Sequence, residues 1–116
     1  REVSGGMLDG KQLIHSDFVE MARLISCMQF FANEMTALKE AGKMDHEHIS
    51  MVKMNNCDSV FKVARIADRI VASSSITDEI CIGRHLNNIR AVDTYEGAYN
   101  IHKLIVGHAL LGKWAL

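Results

Sequence analysis

The residues of this chain that could do chemistry fall into three groups. The first is Asp93-Thr94-Tyr95-Glu96-Gly97, where a carboxylate stands between an aromatic ring and a glycine. An apolar neighbour raises a carboxyl pKa and makes the ionised group a stronger base, as proton abstraction requires. The glycine would let a bulky ligand approach the backbone closely. Against this stands the common use of acidic residues as helix caps. The second group, Asp45-His46-Glu47-His48, has the composition of a metal site without its spacing. Helix neighbours one and two positions apart point in different directions. Paired zinc ligands need His at i and i+4, and di-iron bundles need Glu-x-x-His from two helices. The run reads as a solvated capping turn, and no metal is expected. The third group is dispersed. His15, His85, His102 and His108 have no evident Ser or Cys nucleophile beside them and are expected to be satisfied or on the surface. Cys27, Cys57 and Cys81 form no C-x-x-C pair and are expected as buried, reduced thiols in a reducing compartment.

The elements that position these residues follow from apolar spacing. From Lys11 to Glu40, the residues Ile14, Phe18, Met21, Ile25, Met28, Ala32 and Met35 recur at alternating steps of four and three. This heptad seam predicts one helix of about 45 Å, stopped at Ala41-Gly42. Its methionines are expected to fill core gaps; an exposed, partner-docking stripe is the alternative. Asp45 is placed to cap a second helix running to about Ala72. Cys57, Val60, Ala64, Ala67 and Val71 make one apolar stripe of it, and Phe61, Val63, Ile66 and Ile70 another. Two apolar faces predict a central helix. Ser73-Ser74-Ser75 interrupts it, and Thr77 with Asp78 and Glu79 reads as the cap and acidic first turn of a third helix. There Ile82, Leu86 and Ile89 face inward, Asn87, Asn88 and Arg90 outward. The pattern fades near Asp93-Thr94. After a turn at Gly97, Ile101, Leu104, Ile105 and Leu111 outline a fourth helix ending by Trp114. The fold class is all-α, an antiparallel four-helix up-and-down bundle in one domain over residues 1–116.

Composition agrees. The 116 residues carry 13 Lys+Arg against 14 Asp+Glu, a formal charge of −1, which removes the basic footprint of sequence-independent nucleic-acid binding. No apolar run approaches the ~20 residues of a membrane span, and the count of prolines is 0, so helix breakers are scarce. The chain opens on Arg1 with no charged–apolar–small leader, so no secretory signal is expected, and the missing initiator Met suggests processing or a fragment.

Read in order, the chain resembles the C-terminal helical domain of the acyl-CoA dehydrogenases, the glutaryl-CoA branch above all. The resemblance is carried by Gln12-Leu13-Ile14, by Met51 with Asn55-Asn56-Cys57, and by Ala64-Arg65 with Ala67. It continues through Ile76 with Asp78-Glu79, Arg84-His85, and Ala91-Val92 running into Thr94-Tyr95-Glu96-Gly97, then Ile101-His102 and Leu104-Ile105. It implies a flavin, FAD, held between this bundle, a helical N-terminal domain and a β middle domain; the latter two are expected to be absent from these residues. It implies that Glu96 takes a proton from the carbon α to a CoA thioester while hydride leaves the β carbon, with decarboxylation to crotonyl-CoA in the glutaryl branch. Tyr95 and Gly97 would then face the acyl-CoA, and Arg1, Gln12, Ser73, Ser74 and Asn100 the cofactor. A homotetramer and a mitochondrial-matrix or bacterial-cytoplasmic setting follow from the same resemblance.

Departures from the family pattern cluster on the cofactor side. Ser4 stands where relatives place an aromatic residue, Ser73-Ser74-Ser75 where they carry a Gly-Gly-x-Gly segment, Ala98 in place of a cofactor-touching Thr, and His108 in place of Arg. Each added Cβ blocks close backbone approach, although serine hydroxyls can still donate to phosphate. Weakened or lost FAD binding is therefore expected. Three functions remain open. One is an acyl-CoA dehydrogenase fragment, inactive by itself, with Glu96 as base; another is a flavin-free interaction or structural module derived from that family. The third is an acyl-CoA binder performing non-redox enolisation.

Overall fold

In the computed structural model, which describes residues 2–113, the two longest apolar patterns fold as helices α1 (Gln12–Glu40) and α2 (His46–Val71). The stop between them is the one the glycine foretold. Gly42 takes φ +66°, its N–H donates to the Lys39 carbonyl at 3.1 Å, and the Lys43 N–H donates to the Leu38 carbonyl at 2.9 Å. This is the Schellman arrangement, which a left-handed residue makes possible. Asp45 then opens α2 through a capping box in which its own amide donates to His48 Nδ1 at 3.1 Å. That bond gives His48 a structural occupation, in keeping with a capping turn.

A short 3-10 turn (Ala72–Ile76) follows α2, then α3 (Ile82–Thr94) and α4 (Tyr99–Leu111). Thr77 does not cap α3. Its hydroxyl donates backward to the Ser74 carbonyl at 2.9 Å, so Asp78 and Glu79 lie in a turn and the helix starts with Cys81 at its N-cap. Helix α4 stops at Leu111 on Gly112, at φ +65°; the expected end at Trp114 lies outside the described residues. Before α1 the chain forms something the helical patterning does not announce. It is a two-stranded hairpin, β1 (Glu2–Val3) on β2 (Gly6–Met7), turned by Ser4 and Gly5, both at positive φ.

The architecture is all-α and built around α2, as its two apolar stripes required. Helix α1 packs antiparallel along its length. The other two meet it in tandem: Asp93 of α3 lies beside Cys57, Tyr99 of α4 donates to Asp58, and His102 reaches back to Ser50. Both α3 and α4 therefore run antiparallel to α2, the first on its C-terminal half and the second on its N-terminal half. Among the described residues no helix is long and apolar enough to cross a membrane.

The heptad seam of α1 is only half right. Ile14, Met21, Met28 and Met35 are part-buried, but the alternate set Phe18, Ile25 and Ala32 is exposed, and Leu24 is the buried residue of the helix. Stepping three rather than four from the shared positions reaches the face that meets α2. Apolar residues on both flanks made the two choices indistinguishable from spacing. Ile101 and Leu111 of α4 are exposed too, and so is Cys81, against the expectation of three buried thiols. Among the described residues the buried apolar core is correspondingly small: Leu24, Cys57, Ala64 and Ile66.

Candidate functional site

Sequence motifs placed the chemistry on the connection between α3 and α4, and the backbone there is unusual. Glu96 has φ +54° and Gly97 has φ +106°. For glycine the second value is free of penalty, whereas for glutamate the left-handed region costs ~1–2 kcal/mol. Such a conformation persists where its surroundings over-determine it. Two side chains do so. From α2, the Lys53 ammonium donates to the carbonyl of Tyr95 and, at 2.8 Å, to that of Gly97, so the peptide before Glu96 and the one after Gly97 are tied to one cation. The same Nζ lies 5.6 Å from the centroid of the Tyr95 ring. From α4, His102 occupies the space beneath the glycine, and a Cβ on Gly97 would sit 2.9 Å from its Nε2. His102 is 6% exposed, its Nδ1 pairs with the Ser50 hydroxyl at 3.0 Å, and its buried Nε2 has no hydrogen-bond partner.

The chain thus brings Tyr95, Glu96, Gly97 and Asn100 together on one turn and the first residues of α4. Glu96, Tyr95 and Asn100 are exposed and Gly97 is part-buried. On this chain the acid does not sit in an apolar pocket, contrary to the expectation drawn from its neighbours. Ala98 is the N-cap of α4 and offers no side-chain acceptor to the free amides there, a place where Ser or Thr stabilises by about 1 kcal/mol.

Apart from Asn100, the residues read as cofactor contacts lie elsewhere. Ser73 and Ser74 are exposed on the 3-10 turn at the opposite end of α3, about 20 Å from the Glu96 turn at ~1.5 Å per residue. Gln12 is the exposed first residue of α1, which the antiparallel packing puts at that same far end. Arg1 lies outside the described residues. Two hydroxyls of the serine-rich segment are spent on local carbonyls: Ser75 donates to Ala72 at 2.7 Å and Thr77 to Ser74. The residue the sequence reading missed is Ala72. It adopts φ +59°, ψ −136°, a region that glycine enters freely and alanine does not.

Electrostatics around the turn come from α2 and α3. Burial, then the Asp93 carboxylate, pushes the Cys57 thiol above its ordinary value. The hydrogen bond that the Tyr99 hydroxyl donates to Asp58 Oδ2 at 2.9 Å holds the Tyr99 phenol above its ordinary value. No cluster of three or more His, Cys, Asp or Glu residues able to hold a metal occurs among the described residues. Lys53 and Ser50 were also missed, although a signal existed. Stepping back from Cys57 by four and then three along the inward stripe reaches both of them, polar residues on an otherwise apolar face.

Comparison with known proteins agrees with the fold. The family model described as acyl-CoA dehydrogenase, C-terminal domain, matches residues 1–111. A crystal structure of glutaryl-CoA dehydrogenase from Mycobacterium smegmatis superposes with a TM-score of 0.93 at 34% identity, covering 100% of this chain and 30% of that one. A second structure of the glutaryl-CoA dehydrogenase of that organism, in complex with FADH2, gives the same values. An electron transferring flavoprotein of Acidaminococcus fermentans shares the fold, with a TM-score of 0.89 at 24% identity over 97% of this chain and 30% of that one. The chain therefore spans about a third of the length of the solved structures it matches.

Proposed function

The chain belongs to the acyl-CoA dehydrogenase family, as a C-terminal helical domain, and from that premise we propose that it supplies the base of a glutaryl-CoA-dehydrogenase-like enzyme. The observation that carries this reading is the strained Glu96, held at φ +54° with the carbonyl on each side bound to Lys53. A residue whose backbone is held against its preference is a feature of sites where position matters.

The hydrogen on the carbon α to a thioester is acidic because the charge left behind spreads onto the carbonyl oxygen. Donors at that oxygen stabilise it, and in relatives the backbone N–H of the matching glutamate is one of them. Glu96 would take the α proton on its carboxylate, and Tyr95 and Gly97 would line the approach of the acyl chain. The chemistry supplied by a bound flavin is acceptance of the β hydride. Ser73 and Ser74 fit a phosphate through exposed hydroxyls, and Asn100 and Gln12 complete the polar contacts on this chain. The segment does not fit close backbone approach, since Ala72 already strains where glycine would not. Glu96 is exposed here, so the reading requires further polypeptide, the N-terminal and middle domains of such an enzyme, to close over it. Assembly into a tetramer and a mitochondrial or bacterial cytoplasmic setting belong to the same reading.

The substitution Glu96→Gln tests it. The native protein should show a flavin band that acyl-CoA bleaches, and the variant should bleach ~10²–10⁴-fold more slowly, the range for a lost general base. A second reading, a flavin-free interaction module, is favoured by the strained Ala72 and the uncapped Ala98 on the cofactor side. It predicts a colourless native protein whose assembly is indifferent to Glu96→Gln. Heat on titration with acyl-CoA in such a colourless protein would single out non-redox thioester binding instead.

A further inference from the structure

We propose that Lys53 is the positioning residue of the Glu96 turn, an inference that deepens the proposed function and rests on Glu96 being the base. Lys53 stands 42 and 44 residues before the two carbonyls it binds, those of Tyr95 and Gly97. It reaches them from the N-terminal half of α2, the helix every other helix packs on. The three N–H donors of an ammonium can serve two acceptors at once, and bonds donated by a charged group are about twice as strong as neutral ones. Holding these two carbonyls fixes the peptide that precedes Glu96 and the one that follows Gly97, so one cation clamps the backbone on both sides of the residue between the two carbonyls. That residue is the one non-glycine of the turn with positive φ. The lower side is fixed independently, because His102, buried and paired with Ser50, fills the space that a Cβ at Gly97 would need. Lys53 thus acts from above and His102 from below, and the carboxylate is carried on a turn that cannot relax toward ordinary helix. Lys53 itself touches no reacting atom in this arrangement.

The backbone amides of Tyr95, Ile101 and His102, bonded to the carbonyls of Ala91 and Ala98, bracket the turn and report its opening. In the native protein, Lys53→Met should speed hydrogen exchange in peptides containing these amides by about tenfold or more, with peptides from α1 unchanged. Lys53→Arg should restore most of the protection, since a guanidinium can also donate to two carbonyls. A second readout is deuterium uptake from heavy water at the α carbon of bound acyl-CoA. There the C–H bond breaks, Glu96 accepts the proton, charge passes to the thioester oxygen, and a deuteron returns. Lys53→Met should slow this uptake about tenfold or more at unchanged acyl-CoA affinity, because the base is misplaced while no substrate contact is lost. Unchanged amide exchange in Lys53→Met, or in Lys53→Gln should the first variant not fold, overturns the inference. Full α-deuteration in Glu96→Gln would overturn the base assignment instead, and the amide exchange would still decide whether Lys53 holds the turn.

Discussion

Glu96 and Ala72 share a backbone penalty and differ in what stands around them. Around Glu96, two charge-assisted bonds and a buried histidine enforce the left-handed turn. At Ala72 the 3-10 segment enforces it, with Ser75 and Thr77 hydroxyls bonded to the local carbonyls. Releasing the strain should therefore stabilise the fold. Ala72→Gly removes ~1–3 kcal/mol of strain and returns about 0.5–1 kcal/mol as unfolded-chain entropy, a net gain of about 1 kcal/mol. Thermal unfolding should rise by roughly 4–8 °C; an unchanged or lower midpoint would show that the segment has relaxed around alanine. A further prediction comes from Cys57 and Tyr99, both held above their ordinary values. The folded state then keeps protons that the unfolded chain releases, so stability is full below the ordinary thiol value of ~8.5 and falls as pH climbs toward the folded values. Urea midpoints should hold to about pH 8 and drop between about pH 8.5 and about pH 11. Cys57→Ser and Tyr99→Phe together should flatten that drop, and a slope surviving both would place its origin in other groups.

At the scale of elements, α1 separates what is buried from what is merely apolar. Leu24 faces α2, while Phe30, on the same helix, is 72% exposed. Leu24→Ala should cost ~2–5 kcal/mol, the range for a filled core position. Phe30→Ala should shift the stability of this bundle by less than about 0.5 kcal/mol, as surface changes do. Comparable losses at the two positions would mean that Phe30 is covered in the protein as it exists. Helix α2 shows the complementary case. Its inward stripe begins with Ser50 and Lys53 rather than with apolar residues; Lys53 reaches the turn between α3 and α4, and Ser50 reaches His102 on α4.

The whole molecule is long and thin for its size. Its radius of gyration is 18.0 Å and its extents are 59 × 27 × 23 Å, against about 13 Å expected for a compact domain of this length. Among the described residues four apolar side chains are buried while α1 leaves large apolar side chains bare, and a large contiguous apolar patch marks an interaction site. Phe18 and Val19 are 55% and 69% exposed. Under the proposed function they would meet other parts of the same enzyme. Introducing charge there, Phe18→Lys with Val19→Lys, should lower the assembly state of the native protein in sedimentation while its helical circular dichroism is retained. An unaltered assembly would remove that face from the contact.

Sequence by itself determined the number and order of helices, the central place of α2 and the glycine stop after α1. These rest on local periodicity and on backbone chemistry that single residues impose. It also carried the family, through motifs spread over the whole chain. Spacing did not decide which flank of α1 turns inward, because apolar residues lie on both and only the partner helix chooses. Nor did it place the start of α3, where a threonine hydroxyl could equally serve the helix ahead or the carbonyl behind. Tertiary structure alone brought Lys53 to the Glu96 turn, and Ser50 to His102, from a helix more than forty residues back in the chain. A side chain's reach across helices depends on where three helices meet, and no pattern along one of them contains that.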